Sequence, residues 1–233
     1  MELRQYQKES KELSRQLYRE GHRRVILCKP TGSGKTVTFA SIAADAAALG
    51  KRVAIVVDRS ELLKQAVEKL KMYGLRPQII KGKTRVNYKE SCFVATVQTL
   101  VNRPQLDLDL LIIDEAHKQT FDKLLALGSY DKTFVIGATA TPMRSGRMKQ
   151  LSDNYTAMIE PVTISELIAD GFLVPAITFA AKAGVADMSD VKTKLGDFGE
   201  SFRGSGSKRQ TLRRVHDRNR ASEHAQGLAV WSF

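Results

Sequence analysis

Two short stretches hold the residues whose types and spacing could do chemistry: KPTGSGKT at 29–36 and DEAH at 114–117. Gly32 and Gly34 let the chain curl so that successive backbone N–H groups face one point. A helix starting at Lys35 adds partial positive charge there. Pro30, Thr31, Gly32, Ser33, Gly34, Lys35 and Thr36 therefore read as a phosphate cradle. The Lys35 ammonium would reach the β- and γ-phosphates, and the Thr36 hydroxyl would ligate Mg2+. The usual pattern is G-x-x-x-x-G-K-[ST], and Lys29 stands where it has its first Gly. Asp114 and Glu115 follow an apolar run, and two adjacent acids at a strand end call for a cation. Asp114 is placed to hold Mg2+ through water, and Glu115 to orient and deprotonate an attacking water. Alone, the first stretch could be a Gly/Ser turn and the second a solvated strand end. Their pairing favours ATP and Mg2+ as cofactors.

Each motif needs a strand before it. Val25 to Cys28 are apolar and β-rich, and an Ala-rich stretch runs from Thr36 to Leu49, stopped by Gly50. Leu110 to Ile113 form a continuous apolar run, as expected of a strand buried on both faces. Further strands are expected near 52–57, 78–80, 92–96 and 133–137, and helices near 2–20, 60–73, 119–127 and 163–170. This alternation predicts an α/β fold, a mostly parallel sheet with helices on both faces. Ligands bind such sheets at the carboxyl edge of the strands, where both motifs fall.

The wider pattern resembles the N-terminal RecA-like lobe of superfamily 2 helicases and translocases of the DEAH-box type. Besides PTGSGKT and DEAH, the similar segments are LRQYQ at 3–7, VDRSELLKQ at 57–65, VATVQTL at 94–100, GATATP at 137–142 and YTAMIEPVTISELIADGFLVP at 155–175. Their order is similar to that of phage recombination helicases, bacterial repair helicases and type I restriction translocase subunits. The resemblance covers about residues 2–185. It implies a RecA-like P-loop NTPase in which Gln7 bonds the adenine edge, with Arg4 and Tyr6 shaping the base site. Tyr6 keeps two readings, stacking on the base or packing its helix. The resemblance further implies that His117 links the nucleotide site to Thr139–Thr141, whose hydroxyls Thr139 and Thr141 sense the γ-phosphate. It implies nucleic-acid backbone contacts by Arg59, Ser60, Thr96 and Gln98, which position without reading sequence. DNA rather than RNA is implied at the family level only.

Net charge is +12, which fits a polyanion partner and equally fits a solvated surface. Cys28 and Cys92 fall in expected buried strands, with no Cys/His cluster to suggest zinc. A reducing, cytoplasmic setting follows as an expectation. No apolar run approaches a membrane span. The chain is expected to divide into residues 1–182, the nucleotide-binding lobe, and 183–233, a linker and basic tail. The stretch 196–207 is Gly/Ser-rich, and 201–233 holds seven Lys/Arg against two Asp/Glu. Relatives continue into a second RecA-like lobe with arginine fingers. Gln210 and Arg214 echo that spacing by coincidence, since Arg213 and Asp217 break it. A partner chain or second copy is expected to supply that lobe.

The leading expectation is the ATP-hydrolysing lobe of a helicase or translocase, weakly active alone. The alternative is a non-motor regulatory module that binds nucleotide and nucleic acid without turnover. Glu115 argues against it, since a pure binder has no need of a base. A third reading is a restriction translocase piece with its nuclease elsewhere.

Overall fold

Runs of Val, Ile and Leu account for the sheet. In the computed structural model, residues 2–103, 106–144, 150–177, 193–194 and 197–198 are described. Seven parallel strands stand in the order β3-β4-β2-β5-β6-β1-β7. They are β1 (Arg24–Cys28), β2 (Val53–Val57), β3 (Gln78–Ile80), β4 (Cys92–Thr96), β5 (Leu110–Ile113), β6 (Phe134–Thr139) and β7 (Ala157–Ile159). The helices are α1 (Gln5–Arg19), α2 (Lys35–Ala48), α3 (Ser60–Met72), α4 (Val97–Val101), α5 (Asp122–Ala126) and α6 (Ile164–Ala169). The six strands read from sequence are present, within about two residues at each end. Strand β7 and helix α4 were not expected.

Alternate residues of each strand serve two cores. Val53, Ile55 and Val57 of β2 join Leu110 and Ile112 of β5 beneath α2 and α3, with Phe39, Ala40, Leu63 and Leu70. Ala54, Val56, Leu111 and Ile113 turn the other way, to Val97 and Leu100 of α4 and Leu124 and Leu125 of α5. Burying one such aliphatic side chain contributes about 1.5–3 kcal/mol. All four residues of β5 are buried, so the run that precedes Asp114 is rigid. Rigidity there is what holds a charged pair at a strand end.

The chain divides into one unit, Met1–Ala176, and a second, Ile177–Phe233, which includes an antiparallel pair, β8 (Thr193–Lys194) with β9 (Asp197–Phe198). The boundary expected at 182/183, the basic run, Gln210 and Arg214 lie outside the described residues, as does most of the Gly/Ser-rich stretch. Among the described residues, no helix is long and apolar enough to cross a membrane.

Gly137 shows why GATATP begins with glycine. It lies inside β6, and a Cβ there would meet the Tyr155 hydroxyl at 2.6 Å and Ile26 Cδ1 at 2.8 Å. The Tyr155 hydroxyl is buried without a hydrogen-bond partner, and burial holds its pKa far up. Gly137→Ala is expected to cost about 1–3 kcal/mol by overpacking. A urea midpoint equal to the parent chain's would show that Tyr155 swings aside freely.

Candidate active site

The strand order brings the motifs together. β6 lies between β5 and β1, so the segments that leave these three strands share one carboxyl edge. Register fixes their heights: Ile113 stands beside Gly137, and Cys28 beside Thr139. The Lys29 amide then donates to the Thr139 carbonyl at 3.0 Å, tying the phosphate loop to β6.

Gly32 and Gly34 of the loop have φ of 82° and 76°, left-handed values that side chains resist. No side chain caps the start of α2, which leaves its first N–H groups facing the loop's hollow. Ser33 turns inward, its hydroxyl donating to the Pro30 carbonyl at 2.7 Å. Pro30 is half-buried, and Thr31 and Gly32 are exposed on the rim. The Lys35 ammonium donates to the Lys29 carbonyl at 3.3 Å, and Thr36 is half-buried one residue on.

Across β6, the Asp114 carboxylate accepts the Glu115 amide at 3.1 Å. Burial, and then the charge of Glu115, raise its pKa above the usual carboxylate range. A carboxylate held this way gains from a nearby cation. Asp114 and Thr36 offer hard oxygen donors, one carboxylate and one hydroxyl, which suit Mg2+ completed by phosphates and water. The residues therefore fit the metal expected of them. Among the described residues no group of three His, Cys, Asp or Glu could hold a metal by itself.

Glu115 has a φ of 54°, the one non-glycine residue with positive φ among the described residues. Such strain costs about 1–3 kcal/mol and persists where surroundings impose it. Its carboxylate lies 3.3 Å from His117 Nδ1, which also meets the Thr139 hydroxyl at 2.9 Å. The Thr139 hydroxyl spends its proton on the Thr141 carbonyl, so its oxygen accepts from His117 and the ring proton is assigned to Nδ1. Burial lowers the His117 pKa more than Glu115 raises it, so the ring is neutral at pH 7. The link expected between His117 and the Thr139–Thr141 element is present as this bond. Thr139 itself is buried, bonded to the Thr141 backbone at 3.0 and 2.9 Å, while Thr141 is exposed.

At the adenine end, Gln7 is buried. Its Nε2 donates to the Ser33 carbonyl at 3.2 Å, and its Oε1 accepts the Arg4 amide at 3.0 Å. Gly34 is needed here too, because a Cβ would stand 2.6 Å from Gln7 Nε2. Of the two readings of Tyr6, packing is the one its place supports. The ring is 6% exposed among Val162 and Leu167, and its hydroxyl donates to the Ser33 carbonyl at 3.0 Å. The exposed partner is Phe172, whose ring carries the Arg4 guanidinium at 4.0 Å. Sequence reading gave Phe172 no role. Gly171, with φ of 72°, turns the chain after α6, placing Leu173 over Gly32 of the loop and Phe172 against Tyr6 and Arg4.

The four residues expected at nucleic acid lie further along the same edge, after β2 and β4. Arg59 is exposed and precedes α3, and Ser60 is its half-buried first residue. Exposed Gln98 donates to the Asp58 carbonyl at 3.0 Å, joining the two segments. Thr96 departs from the expected role: it is buried, its hydroxyl paired with that of Thr99 at 2.8 Å. Gly82 donates its amide to Thr99, which lays the exposed Lys81 and Lys83 beside α4. Lys118, next to His117, pairs with Asp58 and ties this row to the acidic motif.

One further residue was missed. Arg144 is almost wholly buried and grips Asp122 through two bonds of 2.9 and 3.1 Å. It also donates to the carbonyls of Ala116, His117 and Lys118, at 3.2, 2.6 and 3.3 Å. The signal was an arginine two residues past Pro142, which composition alone leaves among 37 basic residues.

Comparison with known proteins gives the family and the fold. The family model of the type III restriction enzyme, res subunit, matches residues 1–144. The putative ATP-dependent helicase IRC3 of Saccharomyces cerevisiae is 31% identical over 217 residues, 84% of this chain and 31% of that protein. The crystal structure of T4 UvsW superposes with a TM-score of 0.56 at 23% identity, covering 71% of this chain and 36% of that one. The type ISP restriction-modification enzyme LlaGI, solved as a nuclease-deletion mutant with a DNA substrate mimic, gives 0.57 at 18% identity, covering 74% and 21%. The chain spans about a third of the length of the curated relatives it matches.

Proposed function

Because this chain belongs to the type III restriction enzyme res-subunit family and forms the N-terminal RecA-like lobe of a superfamily 2 helicase, we propose that it binds and hydrolyses ATP with Mg2+ within a helicase or translocase. The observation that carries this reading is His117, whose Nδ1 meets Glu115 at 3.3 Å and Thr139 at 2.9 Å. A chance turn beside a solvated acid has no reason to join a strained base to the next strand.

In this reading the loop N–H groups and Lys35 hold the triphosphate, and Thr36 and Asp114 would hold Mg2+. ATP with Mg2+, when bound, supplies the phosphoryl group and offsets its charge. Glu115 aims its carboxylate at water and takes its proton. His117, neutral and donating from Nδ1, keeps Glu115 in place and passes its position to the Thr139–Thr141 turn. Gln7, Arg4 and Phe172 frame the adenine. A second RecA-like lobe, from another chain or copy, is proposed to add an arginine finger worth about 10³–10⁵ in rate.

Arg59, Ser60 and Gln98, with Lys81 and Lys83 beside them, are proposed to follow a nucleic-acid backbone, DNA by preference. T4 UvsW and LlaGI support the fold of this surface, and the DNA mimic belongs to LlaGI. The test is ATP turnover of the purified chain with and without single-stranded and forked DNA. DNA-stimulated turnover supports the motor reading, and ATP binding without turnover supports a regulatory module instead. Arg59→Ala is expected to weaken single-stranded DNA binding and to make its log–log salt slope shallower by about 0.7. An unchanged slope would return Arg59 to the solvated surface.

A further inference from the structure

Lys29 stands at the meeting point of three elements, and nothing in the proposed mechanism uses its side chain. The residue is wholly buried. Its amine reaches the Thr38 hydroxyl of α2 at 2.9 Å and the Ser10 hydroxyl of α1 at 3.4 Å, and stands 4.7 Å from the centre of the Tyr6 ring. Its amide holds Thr139, and its carbonyl accepts from Lys35. Between the same two helices, Lys11 of α1 meets Asp45 of α2 at 2.6 Å, the ordinary way to settle a cation there. Lys29 meets hydroxyls and a ring.

The hydroxyls define what the amine does. Ser10 donates its proton to the Tyr6 carbonyl at 2.6 Å, and Thr38 donates to the Gly34 carbonyl at 3.3 Å. Both oxygens are left as acceptors, so Lys29 donates to each. A neutral amine has two N–H groups and satisfies both. An ammonium has a third, which faces the Tyr6 ring, a favourable place for a cation. The pocket therefore accommodates both protonation states. Burial, and then the positive charge of Lys35, lower the Lys29 pKa to about 7. Tyr6 and Ser10 from α1 and Thr38 from α2 face the amine uncharged; Lys35 is the charged group that acts on it, and Glu160 reaches the neighbouring Cys28.

We propose that Lys29 is a positioning residue for the nucleotide: it fixes α1, with Gln7 and Arg4, against the phosphate loop, and takes up a proton when phosphates occupy that loop. This rests on the nucleotide-site reading above. Phosphates at Lys35 cancel the repulsion that Lys35 exerts on Lys29, so the charged form becomes easier. By linkage, a proton on Lys29 strengthens phosphate binding to the same extent. Affinity is highest where Lys29 is already charged and falls as pH rises above about 7.

The sign for folding is the reverse. The unfolded lysine keeps its proton up to about 10.5, while the folded one sheds it near 7. The folded chain therefore gains stability from this group as pH rises between those values.

The test is calorimetry of the full chain at pH 7.5, with ATP and Mg2+ and separately with inorganic tripolyphosphate and Mg2+. Two buffers of different ionisation heat count the protons taken up. Several tenths of a proton are expected with either probe, and next to none in Lys29→Met. Uptake absent from the parent chain, or equal in Lys29→Met, overturns the proposal and leaves the nucleotide site standing. A parent chain that binds neither probe overturns the nucleotide site, and this proposal with it. Should Lys29→Met fail to fold, the parent chain's uptake with tripolyphosphate from pH 6.5 to 9 decides alone. A rise through neutral pH supports the proposal, and a flat, zero profile overturns it.

Discussion

Glu115→Gln is expected to lower ATP turnover by about 10²–10⁴, the usual worth of a general base, with ATP affinity held within about threefold. The two effects separate because Glu115 lies off the phosphate loop, on the far side of β6. Glutamine keeps the shape and the left-handed backbone, and its amide can keep the contact with His117. What it loses is the ability to take a proton from water. Asp114 gains a further change. Glu115 is the second cause raising the Asp114 pKa, after burial, so removing its charge lets that pKa fall. Mg2+ binding should then persist to lower pH in the variant than in the parent chain. Single-turnover hydrolysis and fluorescent-nucleotide binding measure the two halves. Turnover within tenfold of the parent chain would move the base elsewhere and leave Glu115 a structural residue.

The sheet and the chemistry-bearing residues were legible because their signals are local. A strand buried on both faces must be continuously apolar, and Leu110–Ile113 is. A phosphate loop needs glycine where φ is positive, and Gly32 and Gly34 are there. Strand β7, Ala157–Ile159, is as short as β3 and buries one residue of three; what makes it a strand is its pairing with β1, which only the fold supplies. Helix α4 was hidden in the same way: Val97–Val101 is short and β-rich in type, and propensity yields to tertiary packing there. Thr96 carried a family role in sequence, but its hydroxyl bonds Thr99, and only the fold reveals that partner. Phe172 and Arg144 depend on contacts made across 168 and 22 residues, with Arg4 and Asp122. No periodicity reports such contacts.

Arg144→Met should produce the largest loss of stability, about 3–5 kcal/mol, the usual cost of breaking a buried ion pair from one side. Asp122 would keep its charge and retain Asn154, which donates to it at 2.9 Å. The carbonyls of Ala116 and His117, which follow the strained Glu115, would lose the arginine's donors at once, while the Lys118 carbonyl keeps the Phe121 amide at 3.4 Å. The arginine's bonds fall on the residues directly after Glu115, whose φ is 54°, so the clasp adjoins the strained position. Releasing the clasp lets Glu115 relax away from His117, and turnover should fall even in molecules that remain folded. At about 2–4 °C per kcal/mol for a chain of this size, the midpoint of thermal unfolding should drop by about 6–20 °C. The double variant Arg144→Met/Asp122→Leu separates the two consequences. It removes the orphaned charge and should recover part of the stability, but it does not restore donors to the Ala116 and His117 carbonyls. Turnover should therefore remain low while the midpoint rises. Recovery of both together would reduce Arg144 to the partner of Asp122 and leave the strained turn supported by the Ala116 amide, which donates to Ala138 at 2.7 Å.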